Sequence, residues 1–89
     1  MKPKYSPEFF DKLKKVDVRV RKSLKEKMLL FSDNPNDPQL KNHALEREFK
    51  GYRSINITDD YRALYEEKNE GNETIAYFAF LGTHEELYG

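Results

Sequence analysis

Residues Ile75 to Leu81 read IAYFAFL, a run that is apolar at odd and even positions alike. Successive side chains of a strand point to opposite faces, so an alternating pattern leaves one face wet and this pattern leaves neither. The run, extended back to Thr74, is therefore expected as a central strand covered on both faces. The rest of the chain has to supply that cover. Ahead of it, Asn69-Glu70-Gly71-Asn72 reads as a turn in which Gly71 is free to take positive φ. Tyr61 to Lys68 reads as a second strand, and about Phe49 to Thr58 as a first, joined at Asp59-Asp60. In the first strand Ile55 and Ile57 fall on one face, Ser54 and Asn56 on the other. The few residues before Ser6 could add an edge strand.

The N-terminal half has a different period. Ser6-Pro7-Glu8 is a helix start: a hydroxyl cap, proline at the first helical position and an acid in the first turn. Phe9, Leu13 and Val16 follow at helical spacing. Asp17 can cap a second helix carrying Val20, Leu24, Met28 and Phe31, which DNPNDP ends, because Pro35 and Pro38 forbid its continuation. Two amphipathic helices joined by a tight turn need a flat surface to cover. The expected fold is α+β: one domain spanning 1–89, with an N-terminal helical hairpin packed on one face of a small twisted antiparallel β-sheet.

Composition narrows the class. Six Phe and six Tyr carry much of the apolar area of an 89-residue chain that is 36% charged, which sets it apart from disordered sequences. It has no cysteine, so disulfides and thiolate metal sites are excluded. No apolar stretch is long enough to span a membrane and MKPKYSPEFF lacks a signal-peptide core, so a soluble cytoplasmic protein is expected. Net charge is zero but polarised: residues 1–50 hold 13 Lys and Arg against 8 Asp and Glu, residues 51–89 hold 3 against 8. Lys14, Lys15, Arg21 and Lys25 belong to the basic stretch Lys12–Lys27. Its charge suits a phosphate backbone through counterion release, although a solvated helix face is the commoner reading of such a stretch.

If Ile55, Ile57, Tyr61, Ala63 and Tyr65 face the helices, then Ser54, Asn56, Arg62 and Leu64 line the other face. Arg53 and Arg62 are two of the three basic residues after Lys50. Each suits a salt bridge or a phosphate fork.

Four short segments in order carry a resemblance: NHAL at 42–45, KGYRS at 50–54, TDDYRALY at 58–65 and GTHEELYG at 82–89. Together they resemble the RelE/ParE toxin superfamily, and within it the YafQ-type branch of ribosome-dependent mRNA interferases. The likeness covers residues 42–89, and the helical hairpin agrees with that family's fold. It implies a metal-independent endoribonuclease that acts on mRNA in the ribosome without a cofactor, with a cognate antitoxin as partner. In that chemistry the ribose 2′-OH attacks the adjacent phosphate. A base, an acid at the leaving oxygen and a cation on the phosphorane are required. His43, Asp60 and His84 match the branch's catalytic positions, and Tyr88 its C-terminal aromatic. Arg62 sits where the superfamily often places a phosphate-binding arginine. The implied roles are Asp60 or His43 as base, His84 as acid, and Arg62 with Arg53 as anion stabilisers, with Ser54 and Asn56 hydrogen-bonding the nucleotide.

The sequence departs from the branch at defined points. Asn56 stands where a histidine is common, and Ser54 where an acid can precede it. Neither transfers a proton near neutral pH. Arg47 and Asp59 replace common glycines. Two further readings of the likeness stay open: a ParE-like gyrase-binding toxin, and a catalytically weak member that acts as an antitoxin-binding protein.

Overall fold

A computed structural model describes residues 1–89. The chain forms β1 (Lys2–Tyr5), α1 (Pro7–Leu13), α2 (Val18–Asp33), β2 (His43–Ala44), β3 (Arg53–Asn56), β4 (Tyr61–Glu70), β5 (Glu73–Thr83) and α3 (His84–Tyr88), with single 3-10 turns at Pro38–Leu40 and Arg47–Phe49. The strands make one sheet in the order β1-β5-β4-β3-β2. The fold is α+β, and the apolar run lies inside β5, between β1 and β4. No helix is long and apolar enough to cross a membrane.

The sheet is mixed rather than antiparallel. β1 is the expected edge strand, but it pairs parallel to β5, Lys2 opposite Ile75 and Tyr5 opposite Phe78. A parallel pair needs a long crossover, and the whole helical hairpin with β2 to β4 lies between the two strands. The Ser6 amide donates to the Phe78 carbonyl at 2.9 Å. That phase turns Pro3 toward the free edge, where its missing N–H leaves no ladder bond unmade.

Both caps form. The Ser6 hydroxyl accepts from the Phe9 amide and Asp17 from the Arg19 amide, and the hydrogen bonds around Asp17 hold its carboxyl below its ordinary range. Phe9, Val20, Leu24, Met28 and Phe31 pack on Ile55, Ile57, Ala63, Tyr65, Phe78 and Leu81. The centre is aromatic, with Phe31, Tyr65 and Phe78 rings 5.0–5.3 Å apart.

A β-bulge explains how one apolar run serves two faces. Phe80 pairs with Leu64 but Phe78 with Tyr65, so Ala79 is the extra residue. Phe78 and Phe80, two apart, would otherwise share a face; the bulge sends Phe78 to the helices and Phe80 to the opposite side. The Ser6 hydroxyl donates to the Ala79 carbonyl at 2.8 Å, which ties the α1 cap to the bulge.

β4 and β5 run one or two residues beyond their expected ends, and other elements differ more. The first strand is only Arg53–Asn56, because Gly51, at φ +97°, turns the chain after a 3-10 turn. β2 is a two-residue strand that periodicity cannot register. The C-terminus forms α3, where Thr83 and Glu86 make a reciprocal capping box. That box was present in the sequence as Thr-His-Glu-Glu.

Candidate active site

Helices α1 and α2 cover one face of the sheet, and the other carries His43, Ser54, Asn56 and Arg62 together with α3. Directly paired residues share a face. Asn56, Arg62 and Gly82 therefore form one row, and His43, Ser54, Leu64 and Phe80 the next. Across these rows lies the loop 45–52. Phe49 lies with its ring 5.8 Å from Phe80, 6.2 Å from Tyr52 and 5.9 Å from Tyr88.

His43 reaches this face from β2. Its Nδ1 lies 2.9 Å from the Lys41 carbonyl. A carbonyl only accepts, so Nδ1 carries a proton, and the tautomer this contact selects has Nε2 as its acceptor. Lys41 itself takes φ +48° after the turn at Pro38–Leu40, which aims that carbonyl. Asn42 fixes the same segment to the sheet. Its amide donates to the Pro35 carbonyl at 2.9 Å and the Tyr65 hydroxyl at 2.8 Å, and its oxygen accepts from Arg53 Nε at 2.8 Å.

His84 opens α3, with its ring 4.7 Å from that of Tyr88. Its amide donates to the Asp60 carbonyl at 3.0 Å, which joins the β3–β4 turn to the start of α3. That turn is set by Thr58, whose hydroxyl accepts from the Asp60 and Tyr61 amides. Asp60 is exposed at its tip.

His43, His84 and Tyr88 line one groove of about 400 Å³ with Leu45, Glu46, Arg47, Glu48 and Phe49. The other candidates are placed differently. Ser54 is fully buried and its hydroxyl has no partner. Arg53 pairs with Tyr65 on the helix side, where it holds Asn42, so it does not join Arg62 at a shared anion site. Arg62 is on the open face, but its Nη1 donates to the Thr58 and Tyr61 carbonyls at 2.9 and 3.1 Å. Asn56 borders a separate cavity of about 150 Å³ with Lys27, Lys41 and Asp59. Lys14, Lys15, Arg21 and Lys25 belong to the helical hairpin, across the sheet from the groove. No group of three or more His, Asp or Glu is placed to hold a metal ion.

Sequence reasoning gave Asn42 no role and read Arg47 only as a replacement for a common glycine, whereas the structure places Arg47 in the lining of the groove. Asn42 stood in plain view within NHAL, but only the tertiary structure supplies its three partners.

Solved structures share this fold. No curated protein sequence matches the chain. YafQ from Escherichia coli BL21(DE3) superposes with a TM-score of 0.78 at 27% identity, covering 98% of this chain and 97% of that one. A copper-bound mutant toxin from Helicobacter pylori has 32% identity and a TM-score of 0.68, with 99% of each chain covered. In the E. coli DinJ–YafQ toxin–antitoxin complex the matching chain has 26% identity and a TM-score of 0.75, over 98% of this chain and 96% of that one. The family model for the bacterial toxin of type II toxin–antitoxin systems, YafQ, matches residues 1–89. The chain belongs to the YafQ family of bacterial toxins of type II toxin–antitoxin systems.

Proposed function

We propose that this protein is an endoribonuclease that cleaves mRNA on the ribosome. The observation that carries the reading is the groove shared by His43, His84 and Tyr88 on the face opposite α1 and α2. Nε2 of His43 is an acceptor free to take the ribose 2′-OH proton, with Asp60 as the other candidate base. The O2′–P bond forms, the P–O5′ bond breaks, and His84 gives a proton to the departing O5′. The products are a 2′,3′-cyclic phosphate and a 5′-hydroxyl. Tyr88 offers a face on which a base can stack.

The partner we propose is a cognate antitoxin, which binds on the opposite side. Between α1, α2 and β1 runs an apolar groove lined by Tyr5, Phe9, Phe10, Leu13, Met28 and Leu29, with Arg21 and Lys25 at its rim. Phe10 is 49% exposed and Leu29 68%. An apolar trough with a basic rim suits an amphipathic segment that carries acids on its flanks.

Expression under a tight promoter, with growth, mRNA integrity and DNA integrity followed together, tests the reading. Fragmented messages with intact DNA are expected. Broken DNA would favour the gyrase poison. Intact messages and intact DNA would favour a catalytically weak, antitoxin-binding member, which the engagement of Arg62 on its own turn makes a specific alternative.

A further inference from the structure

Cleavage of a phosphodiester by its own 2′-OH builds negative charge on the phosphorane oxygens, and a groove that performs it needs a cation there. Neither expected arginine supplies one inside the groove. Arg53 is on the helix side, and Arg62 is spent partly on two backbone carbonyls. Among the groove's lining residues one carries a guanidinium, Arg47.

Arg47 has two unusual properties. Its backbone sits at φ +58°, in the left-handed region that glycine enters freely and an L side chain enters only under strain. Its exposed side chain is in no ion pair and donates no hydrogen bond within the chain, although Glu46 and Glu48 flank it. The conformation is imposed from both ends. β2 pairs with β3 on one side, and the Phe49 ring is anchored against Phe80 and Tyr88 on the other. The turn at Arg47–Phe49 has to reverse the chain between those anchors. A glycine would do so without strain and would leave no side chain in the groove.

We propose that Arg47 is the anion-stabilising residue of this groove, its guanidinium fork closing on the non-bridging oxygens of the scissile phosphate between His43 and His84. The proposal rests on the ribonuclease reading and names the residue that completes it. Planar, bidentate donation is what a phosphorane asks of a cation, and a guanidinium with no partner in the free protein loses none on binding.

The test uses the full chain and ribosomes programmed with a defined message. Arg47→Gly and Arg47→Ala should each lower kcat by about a hundredfold with KM within about threefold, as loss of a transition-state donor does. Arg47→Lys, which keeps the charge but not the fork, should fall between them and wild type. Thermal unfolding separates this from a structural role: Arg47→Gly should have a Tm at or above wild type, because the strain is gone. Wild-type kcat in Arg47→Gly, an effect confined to KM, or activity lost together with Tm would each overturn the proposal. A wild-type protein that cut no message would bring down the proposed function and this inference with it. An active wild type indifferent to Arg47 would sink the inference alone.

Discussion

At the scale of single residues, a half-buried and a fully buried polar side chain have opposite expected effects. Asn42 satisfies the Tyr65 hydroxyl and Arg53 while holding the segment that carries His43. Asn42→Ala would leave both partners without it, so a loss of about 1–3 kcal/mol is expected by denaturant unfolding. Burial holds the Tyr65 phenol above its ordinary range, so that interaction persists through neutral pH. Ser54 buries a hydroxyl with no partner, and Ser54→Ala should be neutral or stabilising by up to about 1 kcal/mol. For a domain of this size that corresponds to a rise in Tm of up to about 4–8 °C. A clear loss of stability would show that the hydroxyl has a partner in solution. In the chemistry, His84→Ala and Asp60→Ala should each reduce cleavage of ribosome-bound message by about a hundredfold or more. Circular dichroism should be unchanged, since neither side chain is buried. Undiminished cleavage in both would remove the mechanism.

At the scale of elements, α3 matters most, because it is short, lacks a fully buried residue and yet carries His84 and Tyr88. Three contacts seat it. Glu86 Oε1 accepts from the Thr83 amide at 2.8 Å, Glu86 Oε2 from Lys12 Nζ at 2.6 Å, and Leu87 lies over Gly82. A Cβ on Gly82 would meet Leu87 Cγ at 3.2 Å and Glu86 Oε1 at 3.4 Å, so the missing side chain lets the helix lie close on β5. The Lys12 ammonium and the Thr83 amide hold the Glu86 carboxyl below its ordinary range. A carboxyl depressed in the folded state contributes stability above its unfolded pKa, and that contribution is lost as pH falls through the folded one. The seat of α3 should therefore be complete at neutral pH and loosen below the ordinary glutamate range. The His84–Tyr88 ring contact, followed by nuclear Overhauser effects, should weaken there before the core unfolds. In Glu86→Gln it should already be weak at pH 7. A contact unaffected by both would mean that the capping box does not position the site.

At the scale of the whole molecule, the sheet divides the protein into two working faces. The histidine groove lies on one, and the basic hairpin with its apolar trough on the other. Neutralising Lys14, Lys15, Arg21 and Lys25 together should therefore leave the chemistry intact and act on association. Ribosome binding should lose salt dependence, each lost phosphate contact removing about 0.7–0.9 from the log–log slope. Antitoxin binding should weaken as well, with faster dissociation at high salt. Thermal stability should change little, because these charges are exposed. An unchanged salt slope would make the stretch a solvated helix face.

Much of this protein was legible in its sequence, because local physics decided it. Ser6 and Asp17 cap their helices because a side-chain oxygen reaches an unpaired amide within a few residues. IAYFAFL is an interior strand because no other element can bury both its faces. The residues that line one groove were legible only in part. His43 and His84 stood in short motifs, but their meeting depends on β2 pairing with β3 and on α3 folding over Gly82. Those are contacts between distant segments, and two- and five-residue elements have no periodicity to announce them. The same limit applies to the arginines. Strand alternation fixes which residues oppose each other, but it cannot say that Arg53 turns to Asn42, that Arg62 turns to its own turn, or that a strained loop delivers Arg47 instead. Composition, caps and the class of fold came from interactions within a few residues. The parallel partner of β5, the bulge at Ala79 and the cation in the groove were decided only when the chain closed on itself.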